Sequence, residues 1–242
     1  MKRAERPFKT LPVALLAGFL IILLIQLLVV QFSLSRYEPV YKPLSAPLAA
    51  STYRIVAIGS DQLMGYLLSI RLQLHDNQSG KHIRYEQLNY RALIDWLDQI
   101  VLLNVQSEYP TMLASRVYGQ TNDQKKLRIM VDFIQRSFTQ DPQRHWRRMT
   151  EATIIAKHKL GDFELALSIA EQLSSQPADI VMPHWARDMQ FILLGDMNEF
   201  EAGKAIIAAL LESAAIVDLD EMRFLKGKLL DFQQKLLEIQ QQ

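Results

Sequence analysis

A chain of 242 residues, 49% hydrophobic and without cysteine, has room for one ordinary domain plus an appendage, and it excludes a disulfide framework, a thiol nucleophile and thiolate metal sites. The formal net charge of +1 hides an asymmetry, because residues 1–36 hold Lys2, Arg3, Arg6, Lys9 and Arg36 against Glu5, a net of +4, which leaves −3 for the rest. A mildly acidic body argues against nucleic acid as a partner.

Residues 1–10 form a basic tail. Leu11 to Phe32 is 22 residues without a charge, with Gln26 and Gln31 as the polar side chains. As a helix it spans roughly 33 Å, enough for a bilayer core, so 11–32 reads as a transmembrane helix in contact with lipid. Pro12 stands near the start, where a missing N–H costs little. A cleaved signal peptide would have a shorter apolar core and small residues at the cleavage site. Gln31-Phe32-Ser33-Leu34-Ser35 lacks that pattern, so an uncleaved single-pass anchor is expected. Four basic residues precede the span, and Arg36 and Lys42 follow it. The positive-inside rule then puts the N-terminus in the cytoplasm and the body across the membrane. In a bacterium that is the inner membrane, with the body in the periplasm.

Residues 33–51 hold Pro39, Pro43 and Pro47 at every fourth position. Proline lacks an N–H and disfavours helix in the residue before it, so this linker is expected to be extended and semi-rigid. It either holds the body off the membrane or packs along the body as an arm.

Beyond the linker, apolar residues recur at helical spacing, so residues 52–218 are expected to be all-α. A first helix runs from an N-cap at Ser60 to about His75, and the polar turn Asp76–Lys81 follows. A second covers Leu88 to Leu103, with Leu93, Leu97 and Ile100 on one face. A third begins at Tyr109-Pro110 and ends by Gly119. Thr121 to Gln124 reads as a capping box with Thr121 as the cap, opening a helix to about Phe138. Asp141-Pro142 starts another helix, Asp as N-cap and Pro at the first position, which stops at Gly161. The next runs from Asp162 to about Ser174. Pro177 and Pro183 bracket a break, and two helices follow, about His184–Asp196 and Glu199–Ser213. Asp218 to Glu221 caps the last helix, in segment 219–242.

Gly161-Asp162-Phe163-Glu164-Leu165-Ala166 recurs, loosened, as Asn198-Glu199-Phe200-Glu201-Ala202-Gly203, 37 positions on. Three units follow from this spacing: 109–142, 143–177 and 178–213, each two helices around a central turn. A looser unit upstream pairs the helix at Ser60 with the one at Leu88. A lone hairpin cannot bury its apolar face, so stacking is expected. These residues resemble a tetratricopeptide repeat, whose period is about 34. Gly161-Asp162-Phe163 resembles that family's Gly-Asp-Tyr turn, and Ala166, Ala170 and Leu173 fall at its packing positions. The resemblance covers about 109–213 and lacks most of the family's Trp, Leu-Gly and Tyr positions in the first helices. It implies an α-solenoid whose first helices line a ligand groove.

By that register the groove candidates are Tyr109, Met112, Arg116 and Gln120; Arg148, Glu151, His158 and Lys159; and Trp185, Asp188 and Ile192. Mixed aromatic and charged types suit a protein ligand. Arg144, Arg147 and Arg148 share one helix face and form a candidate anion site; the alternative is a face paired with nearby carboxylates. Trp96 and Trp146 are expected in the core, with Trp185 exposed. Met222, Leu225, Leu229, Phe232, Leu236 and Ile239 alternate steps of three and four, so the last helix either caps the stack or self-associates as a coiled coil.

No P-loop, dinucleotide fingerprint, nucleophile elbow or zinc-protease motif occurs. No two of His75, His82, His145, His158 and His184 are paired at helical ligand spacing, so neither metal nor cofactor is expected. The sequence points to a non-enzymatic, membrane-anchored adaptor that binds other protein subunits, including an integral membrane protein. The alternative is a tethered envelope enzyme or glycan- or anion-binding factor using the Arg144–Arg148 face.

Overall fold

The computed structural model describes residues 12–34, 42–78, 81–212 and 218–240. The basic tail with Leu11, Arg36, Pro39, the Ser79-Gly80 turn, Ser213 and the last two residues lie outside the described residues. The apolar N-terminal helix belongs to one compact unit, and Pro43–Gln78 with His82–Gln242 form another.

Helix α1 (Val13–Leu34) is 22 residues long. It is apolar on all sides, with a mean hydropathy of 3.1 over Val13–Phe32. Among the described residues it is the one helix long and apolar enough to cross a membrane.

The body begins with an extended segment laid along its own surface. The Trp96 indole N–H donates to the Ser45 carbonyl at 2.7 Å, and the Leu48 N–H donates to the Tyr53 hydroxyl at 3.1 Å. The described end of the linker is therefore an ordered arm on the body. Its last residues already belong to α2 (Ala50–Val56).

Helix α3 (Asp61–Leu74) is capped by Ser60, and α4 (Tyr90–Leu103) by Asn89. Between them Asn77–Gln78 and Lys81–His82 form a minimal two-stranded sheet. Helix α5 (Tyr109–Met112) continues through a π-helical turn, Leu113–Val117, and a 3-10 turn, Tyr118–Gln120. Helix α6 (Gln124–Gln140) corrects the expected cap. Asp123 is the N-cap, its Oδ1 accepting from the Lys125 and Lys126 N–H groups at 3.0 and 3.2 Å. Thr121 instead accepts from the Asp123 N–H, a tight turn before the helix.

Asp141 caps α7 (Pro142–Ile155), which also runs into a π-helical turn, Ala156–Leu160. Gly161 then ends it in the left-handed conformation, φ 64°. Asn198 repeats that conformation at φ 62°, so the recurring turn in the sequence is also a recurring backbone shape. Helix α8 (Phe163–Ser174) is capped by Asp162. The loop after it is tied down by Arg187, which donates to the carbonyls of Gln176, Pro177 and Ile180 at 2.6, 2.8 and 2.8 Å. The single helix expected over 184–196 is two, α9 (His184–Arg187) and α10 (Met189–Asp196), parted at Asp188. Helices α11 (Phe200–Glu212) and α12 (Leu219–Gln240) complete the chain.

Packing follows chain order: α3 on α4, α4 on α6, α6 on α7, α7 on α8, α8 on α10, α10 on α11 and α11 on α12. The middle of the heptad face of α12 is covered within the chain, while Ile239 at its end is exposed. Leu225 and Phe232 are buried against Phe191, Phe200 and Ile207 of α10 and α11.

Candidate functional site

The groove candidates of the first two units come together across α5 and α7. Glu151 is their centre. One carboxylate oxygen accepts from Arg116 Nε at 2.8 Å and the other from Ser115 Oγ at 2.6 Å, while Arg148 Nη1 reaches both oxygens at 2.7 and 2.9 Å. Arg148 also lies 3.9 Å from Glu108, and its Nε is buried without an acceptor among the described residues. Burial alone would raise the Glu151 pKa. The hydrogen bonds from Arg116, Ser115 and Arg148 outweigh it and hold the carboxyl below its ordinary value.

Lys159 extends the seam. Its Nζ donates to the Gly119 carbonyl at 2.7 Å and to Gln120 Oε1 at 3.2 Å. Lys159 can do this because it stands in the π-helical turn that widens the end of α7. Arg116 stands in the matching turn after α5. Both helices thus loosen near their ends, directly before the turn at Gly161 in one and one 3-10 turn before Thr121 in the other. π-helical turns are rare and recur at functional sites. No residue pattern in the sequence marked them.

The remaining candidates divide. Tyr109 is half-buried and hydrogen-bonds Gln73 through its hydroxyl, and Met112 is half-buried. His158 is exposed. In the third unit, Trp185 and Asp188 line one cavity, and Ile192 lines a neighbouring one. Trp96 and Trp146 are buried and Trp185 is 51% exposed.

Arg144, Arg147 and Arg148 do not form one open cationic face. Arg144 Nε binds its own helix cap, Asp141, at 2.9 Å, and its Nη1 donates to the Gln106 carbonyl at 2.6 Å. Arg148 is engaged by Glu151. Arg147 is exposed and lies over the Trp146 ring, 5.1 Å from its centre. Behind them His145 is buried, 3.1 Å from Thr111 Oγ1, and burial lowers its pKa.

The structure adds a surface that the repeat register did not include. On α3, Leu68 and Leu72 are buried while Leu63, Tyr66, Leu67, Ile70 and Leu74 are each more than half exposed. Steps of three and four put these exposed residues in one stripe. The signal was in the sequence: α3 has more apolar residues than a single buried face can use.

No family model, no curated protein and no solved structure matches this chain.

Proposed function

We propose that the chain is a single-pass membrane adaptor, acting by binding rather than by chemistry. Helix α1 anchors it in a bacterial inner membrane with the N-terminus cytoplasmic. The periplasmic hairpins stack in the tetratricopeptide manner and receive partner protein subunits, an integral membrane protein among them. Packing in chain order supports the repeat reading. So does the left-handed turn shared by Gly161 and Asn198.

The observation that carries the binding role is the α3 stripe. Exposed apolar patches of this kind mark contact surfaces, and here five apolar side chains on one face of a single helix are each more than half exposed. A photo-crosslinking residue at Tyr66, in the full chain in its native membrane, tests it. A discrete protein adduct is the expected result. Crosslinks to lipid alone, together with a lone monomer after purification in mild detergent, overturn the adaptor reading. Protease added to spheroplasts tests the side: the body is digested if it faces the periplasm, and protection reverses the orientation.

A further inference from the structure

The cavity beside Trp185 holds a group that neither the groove network nor the α3 stripe explains. Trp185 and Asp188, together with Glu221 and Phe224 of α12, line a space of about 300 Å³. Asp188 is 3% exposed. No described residue donates a hydrogen bond to its carboxylate. The neighbouring acids are engaged: Glu221 binds His184 Nδ1 at 2.7 Å, Asp218 lies 3.8 Å from His184 Nε2, and Asp220 pairs with Arg223 at 2.8 Å. A buried carboxylate without donors is costly and is relieved by a proton or by a cation.

The walls select the kind of cation. Trp185 is half exposed yet held in place, its ring meeting Trp146 edge-on at 5.9 Å and 70°. Phe224, 45% exposed, is backed by Phe191 at 6.4 Å. Two supported aromatic rings beside a carboxylate attract an organic cation through their faces. Among the described residues no three His, Asp or Glu side chains are placed to ligate a metal ion. The volume lies at the lower edge of small-ligand sites and fits one side-chain head rather than a folded segment.

We propose that this cavity seats the guanidinium of an arginine side chain presented by the partner protein, stacked on Trp185 and paired with Asp188. The inference rests on the adaptor reading and gives its partner a chemistry. Guanidinium is favoured over ammonium because its planar fork stacks on an aromatic ring while meeting a carboxylate edge-on. One ring away the chain already shows the stacking half of this arrangement, Arg147 over Trp146 at 5.1 Å. Burial pushes the Asp188 pKa up to about 7, with Glu221 adding to the rise and His184 opposing it, so near neutral pH a cation competes there with a single proton.

Titration of the full chain in detergent micelles with N-acetylarginine methylamide, followed by tryptophan emission and calorimetry, tests the proposal. The neutral isostere N-acetylcitrulline methylamide is the control. The arginine compound is expected to bind saturably and at least about tenfold more tightly than the citrulline compound. Asp188→Asn is expected to remove most of that preference while still melting in one cooperative transition. Equal binding of the two compounds, or none by either, overturns the proposal. So does an unchanged preference in Asp188→Asn. The arginine–citrulline comparison on the wild-type chain decides the matter even if the variant does not fold. Arginine binding without a crosslinked partner keeps the site and removes the adaptor; a crosslinked partner without arginine binding does the reverse.

Discussion

The ring of Phe232 occupies the space that a side chain on Gly203 would need. A Cβ built on Gly203 would meet Phe232 Cε2 at 2.5 Å, and one on Gly195 would meet Phe232 Cζ at 2.7 Å. Two glycines, one on α10 and one on α11, thus make the socket that seats α12. Gly203→Ala is expected to cost about 1–3 kcal/mol through overpacking. Phe232→Ala is expected to cost about 3–5 kcal/mol by emptying the same socket. Urea unfolding of the full chain in micelles measures both; wild-type stability in Gly203→Ala contradicts the socket.

Glu151 carries an acid-sensitive contribution. Its folded pKa lies below the ordinary 4.5, so the contribution is complete above 4.5 and is lost as pH falls through the lowered value. Glu151→Gln is expected to cost about 1.5–3 kcal/mol at neutral pH, since Arg148 keeps its charge with a weaker partner. The variant should also lose part of the acid limb. Denaturation midpoints measured against pH in both proteins check the sign and the window.

Asp188 acts in the opposite sense. Its folded pKa is raised from 3.8 to about 7. Relative to the unfolded chain, the group favours folding most below 3.8, and the advantage disappears as pH rises through about 7. Burial is the main cause of the rise, with the Glu221 charge adding to it and His184 opposing it. The difference between wild type and Asp188→Asn isolates its share. That difference should change across pH 4–7 and level off above; a flat difference rules the shift out.

The α3 stripe separates binding from stability. Leu67→Ser and Ile70→Ser change residues about half exposed, so each should alter stability by no more than about 0.5 kcal/mol. Recovery of the crosslinked partner should drop sharply in the double variant. Full recovery would move the contact surface elsewhere.

Gly161 stands at φ 64° with open space where a Cβ would project. Gly161→Ala therefore meets a conformational penalty alone, about 1–2 kcal/mol. Gly161→Asn should cost less, because asparagine accepts the left-handed region, as Asn198 shows. Equal costs for the two variants would refute this account of the turn.

Much of the helical order was legible because caps are local chemistry. Ser60, Asp141 and Asp162 each offer a side-chain oxygen to an N–H three residues on. Thr121 and Asp123 misled because two oxygen-bearing residues stood two apart, and only the backbone decides which one caps. The break at Asp188 and the short α2 left no sequence signal. The paired π-helical turns were invisible because Leu113–Val117 and Ala156–Leu160 carry no proline, glycine or other residue that marks a departure from ordinary helix. The arginine face misled for a similar reason. Arg144 reaches the Gln106 carbonyl across 38 positions, and Arg148 reaches Glu108 from another helix. Sequence spacing places charges on a face but does not show what neutralises them there.

The edge-on contact of Trp146 and Trp185 has an optical consequence. Two indoles with ring centres 5.9 Å apart, on different helices, couple their electronic transitions and impose a fixed chirality on them. The body should therefore show a near-ultraviolet dichroism signal that belongs to the junction of α7 and α9. Separation of those helices would extinguish that signal while the far-ultraviolet helical signal persists, giving an internal gauge of whether α7 and α9 stay packed.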